Sequence, residues 1–215
     1  MGLRILTATL LVALGAAHAQ TLPELRTEAT TGGSIFYVKN VASQPVTAFL
    51  IELVNYPGSY YSLWQDEAGS ELIAPGAGKR IPVTNMTVGA VPDYVKLQAA
   101  LFADGSSAGI PEKITQIVER RRFCLGTIRE LISRIEKVKA ASTPKAALIA
   151  DLKQWGESVH PPARANRTSQ TTINQTAAAG IIADAVRWLD AGSPDETLAK
   201  LRGWERSLAA SKPAL

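Results

Sequence analysis

The chain has 215 residues, 46% of them hydrophobic and 20% charged, which excludes wholesale disorder and leaves room for one large or two modest domains. Its net charge of +4 hides an uneven split, with a net −3 over residues 20–110 and a net +6 over residues 111–215. An aromatic content of 6%, with no interleaving of basic and aromatic residues, argues against nucleic-acid binding.

The N-terminus reads MGLRILTATLLVALGAAHAQ. Arg4 precedes an apolar run over residues 5–17, and Ala17-His18-Ala19 is a small-x-small cleavage pattern before Gln20. This layout predicts a secretory signal peptide over residues 1–19, cut after Ala19, and export to the periplasm or beyond. No later stretch approaches ~18 uninterrupted apolar residues, so no transmembrane segment is expected after signal removal. His18 leaves with the signal. His160 and Cys124 then remain as single residues of their kinds, too few for an ordinary zinc site in a monomer, and no metal or cofactor is expected. An exported chain with one thiol closes no internal disulfide, so its stability rests on packing.

Residues 20–32 are expected to be a flexible N-terminal segment, and 210–215 a loose end. Residues 33–110 are strand-like. A run at 35–38 (IFYV) ends in a turn containing Pro45, and a longer one at 46–56 ends at Pro57-Gly58. Residues 60–65 allow a third strand, and a Pro75-Gly76 turn leads into 80–83. Residues 94–103 alternate, with Val95, Leu97, Ala99 and Leu101 expected on one face and Lys96 and Gln98 on the other. Short strands at roughly ten-residue spacing predict an antiparallel β-sandwich.

From Pro111 to residue 215 the apolar spacing becomes helical, predicting a domain of about four helices. The first covers 112–139. Ser142-Thr143-Pro144 caps a second, with Leu148, Leu152, Trp155 and Val159 on one face. A third runs over about 171–189. Ser193-Pro194-Asp195-Glu196 is a capping box that starts the fourth.

Gly105-Ser106-Ser107-Ala108-Gly109 fits G-x-S-x-G, the turn that carries a nucleophilic serine in many hydrolases. That elbow needs parallel strands alternating with helices, and no helical segment of useful length precedes residue 105. The only downstream base for Ser107 is His160, beside two prolines, with Asp151 as the nearest earlier acid. Asp-Gly-Ser is ordinary turn chemistry. A serine hydrolase using Ser107 and His160 is therefore the alternative reading, not the first. Gly76-Ala77-Gly78-Lys79-Arg80 misplaces a phosphate loop's first glycine and puts Arg80 where Ser or Thr must reach the metal. A calcium loop around Asp104 would place Ala100, Phe102 and Pro111 at ligand positions. Asp66 and Glu67 look like solvated acids. The sequons at Asn85, Asn166 and Asn174 matter only in a glycosylating cell.

The triplet Arg120-Arg121-Arg122 is not a basic face. On a helical period Ile114, Val118, Leu125, Ile128, Ile132 and Ile135 form an apolar stripe with Arg121 in its gap, and Arg120 and Arg122 flank it. Cys124 lies in the adjoining row with Ile117 and Leu131, where a thiol packs as a small hydrophobe. A guanidinium on an apolar stripe must pair, stack or lead its stem to water. The sharper expectation is that Arg121 anchors the long helix to the sheet half. Arg120 and Arg122 are left as candidate contact residues.

The stretches YVKNVASQPVTAFLIEL, LIAPGAGKRIPV and VKLQAALFADGSSAG resemble the immunoglobulin-like or fibronectin-type-III-like modules of secreted bacterial proteins. The likeness spans residues 34–109 and implies a β-sandwich used for binding or as a spacer. No cysteine pair is present, so an antibody-type domain is not implied. The expected function is an exported non-enzymatic protein that binds another protein or an envelope component. Tyr56, Tyr60, Tyr61 and Trp64 form either its contact patch or part of the core. A second reading has the basic helices docking on an anionic envelope surface.

Overall fold

The computed structural model describes residues 20–54, 61–66, 72–84, 94–141 and 144–214. Strands β1 (Glu24–Thr30), β2 (Gly33–Lys39) and β5 (Gly78–Thr84) form one sheet in the order β1-β2-β5. A second sheet has the order β4-β3-β6-β7, from β3 (Val46–Leu53), β4 (Ser62–Asp66), β6 (Val95–Phe102) and β7 (Ser107–Gly109). Every pairing is antiparallel. Helices α1 (Pro111–Ala140), α2 (Lys145–Val159), α3 (Gln170–Ala191) and α4 (Pro194–Ala209) follow, so strands and helices segregate along the chain and the class is α+β.

Strand β1 corrects the expectation of a flexible segment over 20–32. Its sequence, ELRTEAT, lacks apolar alternation, and its order comes from its partner. It pairs residue by residue with β2, from Glu24 opposite Lys39 to Thr30 opposite Gly33. Arg26 lies 4.2 Å over the Tyr37 ring, and the Tyr37 hydroxyl donates to Glu28 at 3.0 Å, so cross-strand pairs hold the outer face. The C-terminal tail, also expected to be loose, returns to the junction of the two halves, where the Lys212 carbonyl accepts from Arg121.

The expected single apolar face of β6 is overturned. Opposite β3, Leu50 pairs with Ala99 and Ile51 with Leu97, leaving Gln98 as an extra residue. This bulge reverses the alternation. Val95 and Leu97 therefore face the other sheet together with Ala100 and Phe102, while Ala99 and Leu101 face the helices. Gly109 of β7 is wedged against the bulge. Its φ is +110°, and a Cβ there would lie 2.2 Å from the Gln98 carbonyl oxygen, so only glycine fits.

The four-stranded sheet is the middle layer. Phe49, Ile51 and Phe102 on one face share a core with Phe36, Val38 and Ile81 of the three-stranded sheet. Ala48, Leu50 and Leu101 on its other face pack against Ile117 of α1. From Cys124 onward α1 joins the other helices around Ile128, Leu131, Ile135, Leu152, Ile182 and Leu201. One continuous apolar stripe thus serves two cores, and Arg121 sits where it changes partner. Asn40, fully buried, donates to the Gln44 and Ile73 carbonyls and accepts from the Ala42 amide, tying the β2–β3 turn to the segment before β5.

The capping box forms as its spacing predicts. Ser193 Oγ accepts from the Glu196 amide at 3.2 Å, and Glu196 Oε2 accepts from the Ser193 amide at 2.8 Å. Helix α3 starts on Ser169, whose hydroxyl accepts from the Thr172 amide. Helix α2 follows Pro144 with no side-chain cap, and Ser142 and Thr143 lie outside the described residues.

Candidate functional site

Helix α1 is fixed to the four-stranded sheet along one line of its surface. Lys113, Ile117 and Arg121 recur every four residues and so share a face. Lys113 Nζ pairs with Glu52 at 2.8 Å, and Arg121 pairs with Asp66. Eight residues of helix rise about 12 Å, and four residues of strand rise about 13 Å. The two cations therefore match in spacing Glu52 and Ala48, the residue opposite Asp66 in the ladder.

Arg121 is fully buried. Its Nε and Nη2 donate to the two Asp66 carboxylate oxygens at 2.8 and 2.7 Å, a bidentate fork. Nη1 donates to the Lys212 carbonyl at 3.0 Å, and Nη2 also reaches the Thr47 carbonyl and hydroxyl, both at 3.4 Å. Thr47 is the extra residue of a second bulge in β3, which frees its carbonyl from the ladder. One side chain thus joins β3, β4, α1 and the C-terminal tail.

Beside this junction lies a cleft of about 890 Å³, bounded by β4, α1, the α2–α3 connection, α3 and the end of α4. That size suits a small organic ligand. The two-residue period of β4 turns Trp64 and Asp66 toward the helices and Leu63 toward the sheet core. Tyr61 stands edge-on to Phe36, and burial pushes its phenol up to about 12, so it stays protonated. The floor is Ile173, Ala177 and Ile181 of α3, Cys124 of α1, and Trp204 and Leu208 of α4. Gly180 sits mid-helix on the cleft wall, where a Cβ would meet nothing within 4 Å. A glycine there costs the helix about 0.5–1 kcal/mol relative to alanine.

Charges in the cleft are unevenly matched. Asp66 is held by Arg121, and Asp184 pairs with Arg187 at 2.8 Å. Arg120 lies 5.8 Å over the Trp64 ring, and among the described residues neither Arg120 nor Arg167 forms an ion pair. The wall therefore carries two guanidinium charges not matched by carboxylates in the described part of the chain. His160 contributes its ring, with Nδ1 3.0 Å from the Pro161 carbonyl oxygen.

Of the residues singled out from sequence, Tyr61, Trp64, Arg120, Cys124 and His160 all line this cleft. Tyr56 and Tyr60 lie outside the described residues. Arg122 is turned elsewhere. It pairs with Glu119 and borders a shallow depression with Phe123 and Trp155. Burial pushes the Cys124 thiol up and nearby Asp66 adds to this, against the opposing pull of Arg120 and Arg121, so it is a poor nucleophile. Ser107 opens strand β7, paired with Leu101, and is not among the cleft's lining residues, whereas His160 is. The G-x-S-x-G stretch is a hairpin. The Phe102 amide donates to the Ser106 carbonyl, and Asp104 accepts from the Ser106 amide and hydroxyl, which holds its carboxyl below the usual range.

Asp66 corrects the expectation of a solvated acid, because β4 and α1 together enclose it. Arg167, Thr172, Thr176 and Trp204 carried no sequence signal for the cleft, since only the packing of α3 and α4 brings them to β4. Among the described residues no three His, Cys, Asp or Glu side chains cluster as a metal site, and no helix is long and apolar enough to cross a membrane. No protein-family model, curated protein or solved structure matches the chain.

Proposed function

We propose that this is an exported, non-enzymatic binding protein that holds its ligand in the cleft between β4 and the helices. One observation carries the reading. Aromatic and apolar groups and two arginines that form no ion pair among the described residues converge on one ligand-sized cleft. Export is supported by Arg4, the apolar run at 5–17 and the Ala17-His18-Ala19 pattern. An immunoglobulin-like character of the strand half is supported by the chain path. It passes between the sheets at β2–β3, β4–β5 and β5–β6, as Greek-key sandwiches do. Here β4 pairs with β3, whereas constant-type domains place the fourth strand in the opposite sheet.

Docking of basic helices on an anionic surface is the weaker reading. Arg122, Arg129, Arg134, Lys139, Arg187 and Arg202 are each engaged by a neighbouring carboxylate, which lowers the field the helices present. Hydrolysis at Ser107 lacks a base beside that hydroxyl among the described contacts, and a fluorophosphonate probe that labels Ser107 would restore it. The binding reading is tested by a thermal-shift screen of small organic probes on the mature chain and on Gly180→Leu, which adds bulk at the cleft wall where a Cβ meets nothing within 4 Å. Stabilisation of the parent that vanishes in Gly180→Leu supports the cleft. Probes that stabilise both proteins equally, or neither, sink it.

A further inference from the structure

We propose, resting on that cleft as the binding site, that its ligand is an amphiphilic organic anion, with one acidic head and an apolar chain or ring system. Polarity is segregated along the cleft. Gln170 Nε2 donates to the Gln116 carbonyl at 3.4 Å, which sets the start of α3 one helical turn from Arg120 on α1. Arg167 precedes α3 by three residues. Both arginines, which form no ion pair among the described residues, therefore belong to the end of the cleft where α3 begins, Arg120 over the Trp64 ring. Deeper in, the walls become mostly apolar, with Ile173, Ala177 and Ile181 on α3 opposite Cys124 on α1 and Trp204 and Leu208 on α4, while Thr176 and the Arg187-paired Asp184 are the polar groups of that stretch. From Thr172 to Ile181 the helix rises about 14 Å, room for a chain or fused rings of that length.

A carboxylate, phosphate or sulfonate head satisfies the arginines through charge-assisted hydrogen bonds. An ammonium head meets two like charges, since Asp66 and Asp184 are already engaged by Arg121 and Arg187. A neutral chain fills the apolar end and leaves the cations without a partner.

Calorimetric titration of the mature protein with decanoate, decanol, decyltrimethylammonium and acetate separates head from tail. Decanoate is expected to bind at least about tenfold more tightly than decanol or the ammonium, the least that a charge-assisted hydrogen bond supplies, and acetate only at far higher concentration. Arg120→Gln and Arg167→Gln should each weaken decanoate about tenfold or more, and Gly180→Leu should abolish it. Both arginines reach solvent, so melting curves of the variants check that the fold persists. Decanol or the ammonium binding as tightly as decanoate, or decanoate binding unchanged in both arginine variants, overturns the anion assignment while leaving the cleft as a binding site. Tight binding unaffected by Gly180→Leu, or no binding by any probe, overturns both.

Discussion

Removing the Arg121 side chain tests whether one buried ion pair holds the halves together. Among the described residues Arg121 is the largest fully buried side chain, and it donates to both oxygens of Asp66, whose side chain is only 15% exposed. In Arg121→Ala that carboxylate loses the two guanidinium donors while staying enclosed, and the Lys212 and Thr47 carbonyls lose one each. Stranding one member of a buried pair costs about 3–5 kcal/mol. For a chain of this length each kcal/mol lowers Tm by about 2–4 °C, so a fall of roughly 6–20 °C is expected. Thermal and urea denaturation read it directly. A double-mutant cycle sharpens the attribution. Asp66→Leu with Arg121→Met leaves no unpaired charge and should cost less than the two single substitutions added together, a coupling of about 0.5–3 kcal/mol. A Tm for Arg121→Ala within about 2 °C of the parent, or strictly additive costs, would refute the reasoning.

Gly109→Ala should destabilise strongly, because the positive φ alone costs about 1–3 kcal/mol and the added carbon meets the Gln98 carbonyl. Gly76→Ala, at φ +77° with nothing nearby, should carry only the dihedral cost, so equal urea midpoints for the two variants count against the bulge argument. Cys124 should resist Ellman's reagent at pH 8 in the native protein and react on unfolding, and native reaction at the rate of a free thiol contradicts its burial. Ser193→Ala should cost about 1 kcal/mol, seen as a Tm lower by about 2–4 °C. The bonds from the Ser193 backbone and hydroxyl hold the Glu196 carboxyl below its usual range. Its stabilising contribution is thus fully present above the ordinary glutamate range and is lost as pH falls through the lowered value. An NMR titration should show that depression in the parent and its reduction in Ser193→Ala, and an ordinary value in the parent would contradict it.

Local chemistry made much of the fold legible in the sequence. The helices α1 and α3 lie within two residues of their expected bounds and α4 starts at its expected cap, because apolar spacing, Pro111 and the Ser193 box act over a few residues. The Asp104-Gly105-Ser106 turn is equally local. Tyr61 and Trp64 stand close enough in the chain to suggest a shared contact patch, and Arg120 is a contact residue by type, while nothing along the chain joins Arg120 to the aromatics in a common cleft. Strand β1 carries no signal of its own in the sequence, because its order is borrowed from β2. The alternation of β6 does not reveal its faces, because a single extra residue at Gln98 inverts every side chain beyond it, and a bulge is a property of the pairing.

What the sequence by itself determined is the order and type of most elements and the requirement that Arg121 find a partner, since periodicity and capping depend on neighbours in the chain. The choice of Asp66 as that partner, the return of Lys212 to the same guanidinium, and the cleft that unites Trp64, Arg120, Arg167 and Trp204 were decided only in three dimensions. These groups are separated by 55 to 91 positions along the chain at the arginine alone, and no local energy term connects residues so far apart until the helices have packed on the sheet.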